Sequence, residues 1–489
     1  MQYSKMIKEK YSFYSENIPV NISIESNKDE FVLIYNVNIS QISANTELVL
    51  DKIRDELVNK VKLGIADITD PKKMEFVRGK FQETIIYLIE KYFPDISEDT
   101  KKFFTSYIMH KSFGLGKIEV ILDDNNLEEV VVNNADEPIW VYHRRHGWLK
   151  TNIILGSEDL IKHYSALIAR KVGRSITMLT PLLDAHLDTG DRVNATLFPI
   201  TTKGNTITIR KFSEKPITIT DMLKSKTISL SAASLVWTAV QYELSTLVAG
   251  GTASGKTSIL GVVSNFFPPN QRIISIEDTR ELVLSKNLQW IPMVTREPNV
   301  EGKGEVSMLD LTVNSLRMRP DRIVVGEIRK KREAEVLFEA MHTGHSVYAT
   351  LHANDTEETI TRLTNPPIDI SKTLLPAISM LLVMYRNRRT GLRRVYQVSE
   401  LLKDGRANVI MQYDIGSDKL LNANQSLRLL PELEIQTGLS SQEINQDLRD
   451  KAEILKWLVV KDVNDVNGIG KVVANYYTNK EGLMKFIRK

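Results

Sequence analysis

At 489 residues, with 42% apolar and 26% charged side chains, the chain is long enough for two to four domains of ordinary globular balance. Its net charge of +3, from 64 Lys+Arg against 61 Asp+Glu, is too even for a surface that wraps nucleic acid or coats a membrane. It has no cysteine, which excludes disulfides, thiolate-held zinc and a cysteine nucleophile, and fits a reducing compartment.

The opening stretch MQYSKMIKEKYSFYSEN lacks an apolar core and a small-residue cleavage site, so no secretory signal is predicted. Residues 1–105 alternate polar, helix-like segments with one β-rich stretch, Phe31–Ser40, and read as a mainly helical accessory region. Residues 106–214 change character. IEVILDD, EEVVVNN and PIWVYHR are short β-branched runs between turn residues. A helix candidate, DLIKHYSALIARKVG, and an alternating strand, NTITIRKF, follow, which predicts an α+β domain. Pro216 in SEKPIT breaks the pattern and marks residues 215–220 as a linker. The uncharged stretch Thr227–Tyr242 is too short for a membrane span and is dotted with Ser, Thr and Gln, so it reads as a buried helix.

Over residues 221–414 strands and helices alternate. LSTLVAG, RIISIED, RIVVGE and SVYATLHA are apolar, β-rich runs of the kind buried in parallel sheets. They predict an α/β domain with a parallel central sheet. Residues 415–489 read as a helical extension, with Ser440 or Ser441 as the N-cap of SSQEINQDLRDKAEILKWLVV.

LSTLVAG runs straight into GGTASGKT, which fits G-x-x-x-x-G-K-[ST] at Gly250, Gly255, Lys256 and Thr257. Gly250, Gly251, Thr252, Ala253, Ser254 and Gly255 would form a phosphate cradle, with Ser258 in the first turn of the helix behind it. Lys256 would reach the β- and γ-phosphates and the Thr257 hydroxyl a Mg²⁺ ion, so ATP and Mg²⁺ are the expected ligands.

Hydrolysis also needs acids near the metal and the attacking water. IEDTREL supplies Glu277, Asp278 and Glu281, and RIVVGEIR supplies Glu327, at the ends of strands read as lying next to the P-loop strand. Asp278 and Glu327 are candidates to meet Mg²⁺ through a water. Glu327 is the first choice to position the attacking water and Glu277 competes with it; the residues alone leave both open. His345 and His352 in TGHSVYATLHAND are seven residues apart, an odd spacing that puts them on opposite faces of a strand and makes a poor metal pair.

Taken in order, these motifs resemble those of the secretion ATPase superfamily, the hexameric motors of type II secretion, type IV pili and type IV secretion. GGTASGKT looks like its Walker A, IISIEDTREL its Asp box, SLRMRPDRIVVGEIR its atypical Walker B and TGHSVYATLHAND its His box. PLLDAHLDTGDRVNATLFP and NTITIRKF look like the N-terminal domain that closes over the nucleotide. That match implies Arg192 and Arg210 as arginines reaching the phosphates. It implies His352, and more weakly His345, as γ-phosphate sensors, and Arg317 and Arg319 as candidates to act across a subunit interface. GLGKIEVILDD and WVYHRRHGWLKTNI resemble the archaeal branch, which serves archaella and archaeal pili; the absence of a four-cysteine zinc module agrees.

The resemblance implies a RecA-like P-loop ATPase core in a homohexamer, cytoplasmic and peripherally recruited to the inner face of the cell membrane. Its expected partners are a polytopic membrane platform protein, pilin-like subunits indirectly, and anionic lipid. The implied work is conversion of ATP hydrolysis into domain motion that assembles a pilus or archaellum. No nucleic-acid partner is expected, because near-neutral charge and 7% aromatic residues offer no basic stacking surface. A nucleic-acid transfer motor on the same fold and a nucleotide-gated scaffold with little turnover are the alternatives.

Overall fold

Alternation decides the first sheet. Met6–Ser15 (β1) pairs antiparallel with Ile18–Ser26 (β2), in which Ile18, Val20, Ile22 and Ile24 are all buried at every second position. The computed structural model that shows this describes residues 6–27, 30–39, 43–60, 71–187, 189–212, 215–298 and 302–488. The first five residues of the opening stretch, Ser40, Asp188 and the Ser213–Glu214 start of SEKPIT lie outside the described residues. The chain divides into two compact units, Met1–Ser213 and Glu214–Lys489.

In the first unit β1 and β2 continue through Ile34–Asn38 (β3), Leu127–Val132 (β4), Trp140–His143 (β5), Gly147–Thr151 (β6), Leu182–His186 (β7), Arg192–Thr196 (β8) and Thr206–Arg210 (β9). They form one nine-stranded sheet in the order β1-β2-β3-β6-β5-β4-β9-β8-β7. The described part of residues 1–105 is mainly helical, as expected, but it shares a sheet with the α+β part. Its first forty residues give three strands to the sheet of the α+β part, and one core runs from Ile18 through Phe103 to Ile209. The β1 signal is faint because Lys8, Glu9 and Lys10 sit in a strand largely open to solvent. Among the described residues the helices of this region are Ala44–Lys60, Pro71–Tyr92 and Glu98–Phe113, and the helix candidate of the α+β part spans Glu158–Lys171.

The second unit opens earlier than the linker reading expects. Thr218 and Asp221 form a capping box that starts the helix Ile219–Lys224. The uncharged stretch is the buried helix Leu230–Gln241. The sheet strands follow: Thr246–Gly250 (β10), Arg272–Glu277 (β11), Gln289–Val294 (β12), Arg322–Val325 (β13), Ser346–Leu351 (β14), Met380–Arg386 (β15), Arg393–Leu401 (β16), Ala407–Asp414 (β17) and Lys419–Asn422 (β18). Their order is β12-β11-β13-β14-β10-β15-β16-β17-β18. The first six are parallel and the rest antiparallel. With the P-loop strand β10 between β14 and β15, this is a RecA-like α/β core. One expectation is corrected here: neither β13, which Glu327 follows, nor β11, which ends at Glu277, neighbours the P-loop strand, because β14 lies between β13 and β10 and β13 lies between β11 and β14.

Residues 415–489 are not purely helical, since β18 begins them. Their helices also complete the core. Ile454, Leu455, Leu458 and Ile469 share one apolar cluster with Trp237 and with Ile259 and Leu260 of the P-loop helix. Trp237 donates to the Tyr477 hydroxyl at 3.0 Å, and the fully buried Lys451 is paired with Asp447 at 2.6 Å. Ser440, not Ser441, caps Ser441–Val460: its Oγ accepts from Glu443 N, and Glu443 Oε2 accepts from Ser440 N at 2.8 Å. Ser440→Ala should lower stability by about 1 kcal/mol in urea unfolding, while Ser441→Ala changes it by less than half of that.

Among the described residues no helix is long and apolar enough to cross a membrane.

Candidate functional site

The C-terminal ends of parallel strands form the ligand edge of such a sheet. β10 is buried along its whole length and delivers the P-loop there. A Cβ on Gly250 would lie 2.4 Å from Ser254 Oγ and 2.9 Å from the Met384 carbonyl, so only glycine fits. Gly255 enters the helix Lys256–Ser264 at φ +95°, in the left-handed region. Ser254 Oγ donates to Gly251 O at 2.8 Å and closes the loop on itself. Thr257 and Ser258 follow in the first helical turn, where backbone N–H groups point outward, and the Thr257 hydroxyl makes no hydrogen bond among the described residues.

Lys256 is buried and donates to Gly251 O at 3.0 Å. Its Nζ also lies 3.3 Å from His352 Nδ1. An ammonium can only donate, so Nδ1 accepts and the proton of the neutral ring sits on Nε2. Nε2 faces Glu327 Oε1 at 3.1 Å. Burial and the nearby Lys256 charge lower the His352 pKa against the pull of Glu327, which keeps the ring neutral at pH 7. Burial likewise lowers the Lys256 pKa, opposed by the Glu327 and Glu281 carboxylates.

Glu327 follows β13 directly after Gly326. The Gly326 N–H donates to Ile276 O at 2.8 Å, which sets Glu327 beside the end of β11. Arg329 then joins the two acid-ended strands. Its Nε and Nη2 hold Glu327 Oε2 at 2.7 and 2.6 Å, and its Nη1 meets Asp278 Oδ2. Arg329 stands in the quoted RIVVGEIR, yet sequence reasoning gave it no role; a cation two residues beyond a strand-end acid was the available signal.

Glu277 behaves differently. It is 2% exposed; its Oε1 accepts from the backbone N–H groups of Glu281 and Leu282 at 2.9 and 3.1 Å, and its Oε2 has no partner among the described residues. Burial raises its pKa to about 7, against those two hydrogen bonds.

The structure therefore brings together Gly250–Ser258, Glu277, Asp278, Glu327 and His352. It does not bring His345. That residue precedes β14 and His352 follows it, so the six-residue strand separates them by about 20 Å. His345 Nδ1 instead faces Ala340 O at 3.3 Å and Thr343 Oγ1 at 3.2 Å. Arg317 and Arg319 are exposed ahead of β13, at the sheet edge opposite Glu327. Arg192 and Arg210 belong to the first unit, where the β8–β9 register places them opposite each other and Arg192 bonds Asp184 at 2.7 Å.

The loop fits a polyphosphate: a glycine cradle, a helix N-terminus and a lysine within one turn. Among the described residues no three Asp, Glu or His side chains converge into a metal cage. A Mg²⁺ here would need phosphate oxygens beside the Thr257 hydroxyl and the carboxylates.

Comparison with known proteins bears on the part of the chain that holds this site. An uncharacterized Methanocaldococcus jannaschii protein is 47% identical over 238 residues, 47% of this chain and 32% of the relative. A second protein of that organism is 32% identical over 400 residues, 79% of this chain and 72% of the relative. The type IV secretion system protein PtlH of Bordetella pertussis is 30% identical over 275 residues, 52% of this chain and 80% of PtlH. The chain thus spans about a third of the length of the first relative and most of the other two. The family model described as type II/IV secretion system protein matches residues 117–389, which hold the P-loop and both acid-ended strands. That match covers more than half of the sequence, and the chain belongs to the type II/IV secretion system protein family.

Proposed function

We propose that the chain is an ATP hydrolase whose turnover drives domain motion in a homohexameric ring, and that the ring powers assembly of a pilus-like filament of the archaeal type. The observation that carries the reading is the hydrogen-bonded line Lys256–His352–Glu327–Arg329–Asp278, which ties the P-loop to two acid-ended strands. A structural loop has no need of such a line; a site that stabilises charge on a transferred phosphoryl group does.

In this reading Gly250–Ser258 hold the phosphates and Thr257 faces Mg²⁺, which when bound neutralises charge on the phosphate oxygens. Asp278 and Glu327 approach the metal through water. Glu327 positions the attacking water, because His352 and Arg329 hold its two oxygens in a fixed orientation. Glu277 anchors the Asp-box loop through the Glu281 and Leu282 amides. The ring is recruited to a polytopic platform protein at the inner face of the membrane and moves pilin-like subunits through it. The Methanocaldococcus jannaschii relatives support the archaeal branch, and the secretion-system family supports the motor.

The test is steady-state ATP hydrolysis against protein concentration, with light scattering to follow mass, with and without anionic vesicles or single-stranded DNA. Turnover should rise as a six-fold species forms. Full turnover by a monomer removes the ring. ATP binding without turnover turns the reading to a nucleotide-gated scaffold, and stimulation by single-stranded DNA turns it to a nucleic-acid transfer motor.

A further inference from the structure

Two arginines face each other beside the P-loop with no carboxylate between them. β15 runs parallel to β10 with Met384 opposite Gly250, so its last residue, Arg386, emerges at the edge where the P-loop turns. β16 returns antiparallel, and the register sets Arg393 directly opposite Arg386. Like charges in that position repel. In the same hairpin Arg394 is answered by Asp418 at 2.7 and 3.0 Å. Arg386 and Arg393 have no ion pair among the described residues, nor do the exposed Arg388 and Arg389 in the turn that joins the strands.

The pair is also incomplete as a hydrogen-bonding unit. Arg393 Nε donates to the P-loop carbonyl of Ala253 at 3.1 Å. Arg386 Nε is buried and has no acceptor among the described residues. A Cβ on Gly255 would sit 3.6 Å from Arg393 Cδ and 3.7 Å from Met384 Cε, so this hairpin flanks the glycine that opens the phosphate-facing helix. β15 lies on the opposite side of β10 from β14, hence on the opposite flank from His352 and Glu327.

We propose that Arg386 is a further anion-binding residue of the nucleotide site. With Arg393 beside it, its guanidinium takes a phosphate oxygen of the bound nucleotide on the β15 flank of the P-loop. The inference rests on the reading of the loop as a nucleoside triphosphate site. Chemistry favours a phosphate: a planar fork of donors suits its oxygens, and an anion between the two guanidiniums turns their repulsion into shared attraction.

The test uses the full chain and the variants Arg386→Gln, Arg386→Lys and Lys256→Ala. Binding of ATP and of inorganic triphosphate is measured by titration calorimetry, binding to phosphatidylglycerol vesicles by sedimentation, and the ligand-free melting temperature by calorimetry. Arg386→Gln should weaken ATP and triphosphate alike by about tenfold or more, with Arg386→Lys recovering part of the loss. Its ligand-free melting temperature should stay level or rise, because the like-charge pair is gone; a merely structural arginine would lower it. Unchanged ATP affinity overturns the proposal, whether the variant is destabilised or vesicle binding is what falls. Loss for ATP but not for triphosphate overturns it as well, placing Arg386 on the base or ribose. If the wild type binds ATP no better than Lys256→Ala, the nucleotide reading itself fails, and this proposal with it.

Discussion

Replacing Glu327 by Gln should lower steady-state ATP turnover by at least about a hundredfold and leave ATP affinity within a fewfold of wild type. Gln keeps the shape and an acceptor for the His352 Nε2–H, 3.1 Å away in the parent. What goes is the charge that holds Arg329, whose Nε and Nη2 are 2.7 and 2.6 Å from Glu327 Oε2. The water-positioning carboxylate is lost while the glycine cradle and Lys256 remain. A loss confined to kcat fits an interaction made only in the transition state. Lys256→Ala is the contrast and should lose affinity as well, since Lys256 is the loop's own cation. Turnover of Glu327→Gln within tenfold of wild type would remove Glu327 from the chemistry and leave Glu277 as the remaining carboxylate candidate.

Glu277→Gln should separate the two acids by stability. The Glu277 pKa is about 7 in the folded chain against 4.5 for the ordinary group, because its carboxyl is buried. Below pH 4.5 both states carry the proton and the group costs nothing. As pH rises from 4.5 to 7 the unfolded chain ionises first, so the wild type loses stability across that window. The difference of 2.5 pH units corresponds to about 3 kcal/mol above pH 7. Gln cannot ionise. In urea unfolding the variant should therefore gain on the wild type by up to about 3 kcal/mol at pH 8 and by almost nothing at pH 4.5. Because Glu277 Oε1 serves backbone amides, an amide oxygen can replace it, and turnover should stay within about tenfold. A stability difference from the wild type that is the same at pH 4.5 and at pH 8 would show that the carboxyl ionises freely. A variant that gains stability but loses turnover as deeply as Glu327→Gln would make Glu277 the proton acceptor.

By itself the sequence determined the P-loop, the two acid-ended strands, the α/β class and the family. Each of those is written in local pattern: glycines at set positions, β-branched runs, an acid where a strand stops. A buried helix within Thr227–Tyr242 and a cap at Ser440 or Ser441 were legible for the same reason, and the structure chose Leu230–Gln241 and Ser440. Strand order is not local, and only the tertiary structure put β14 between β10 and β13, bringing His352 between Lys256 and Glu327. The same placement set His345 a strand length away, although both histidines share one motif. The place of the C-terminal helices in the core depends on partners far along the chain, and the charged β1 and the Arg386–Arg393 pair depend on a hairpin register that composition does not specify. Burial and pairing are relations between distant residues, and composition or spacing along one segment does not encode them.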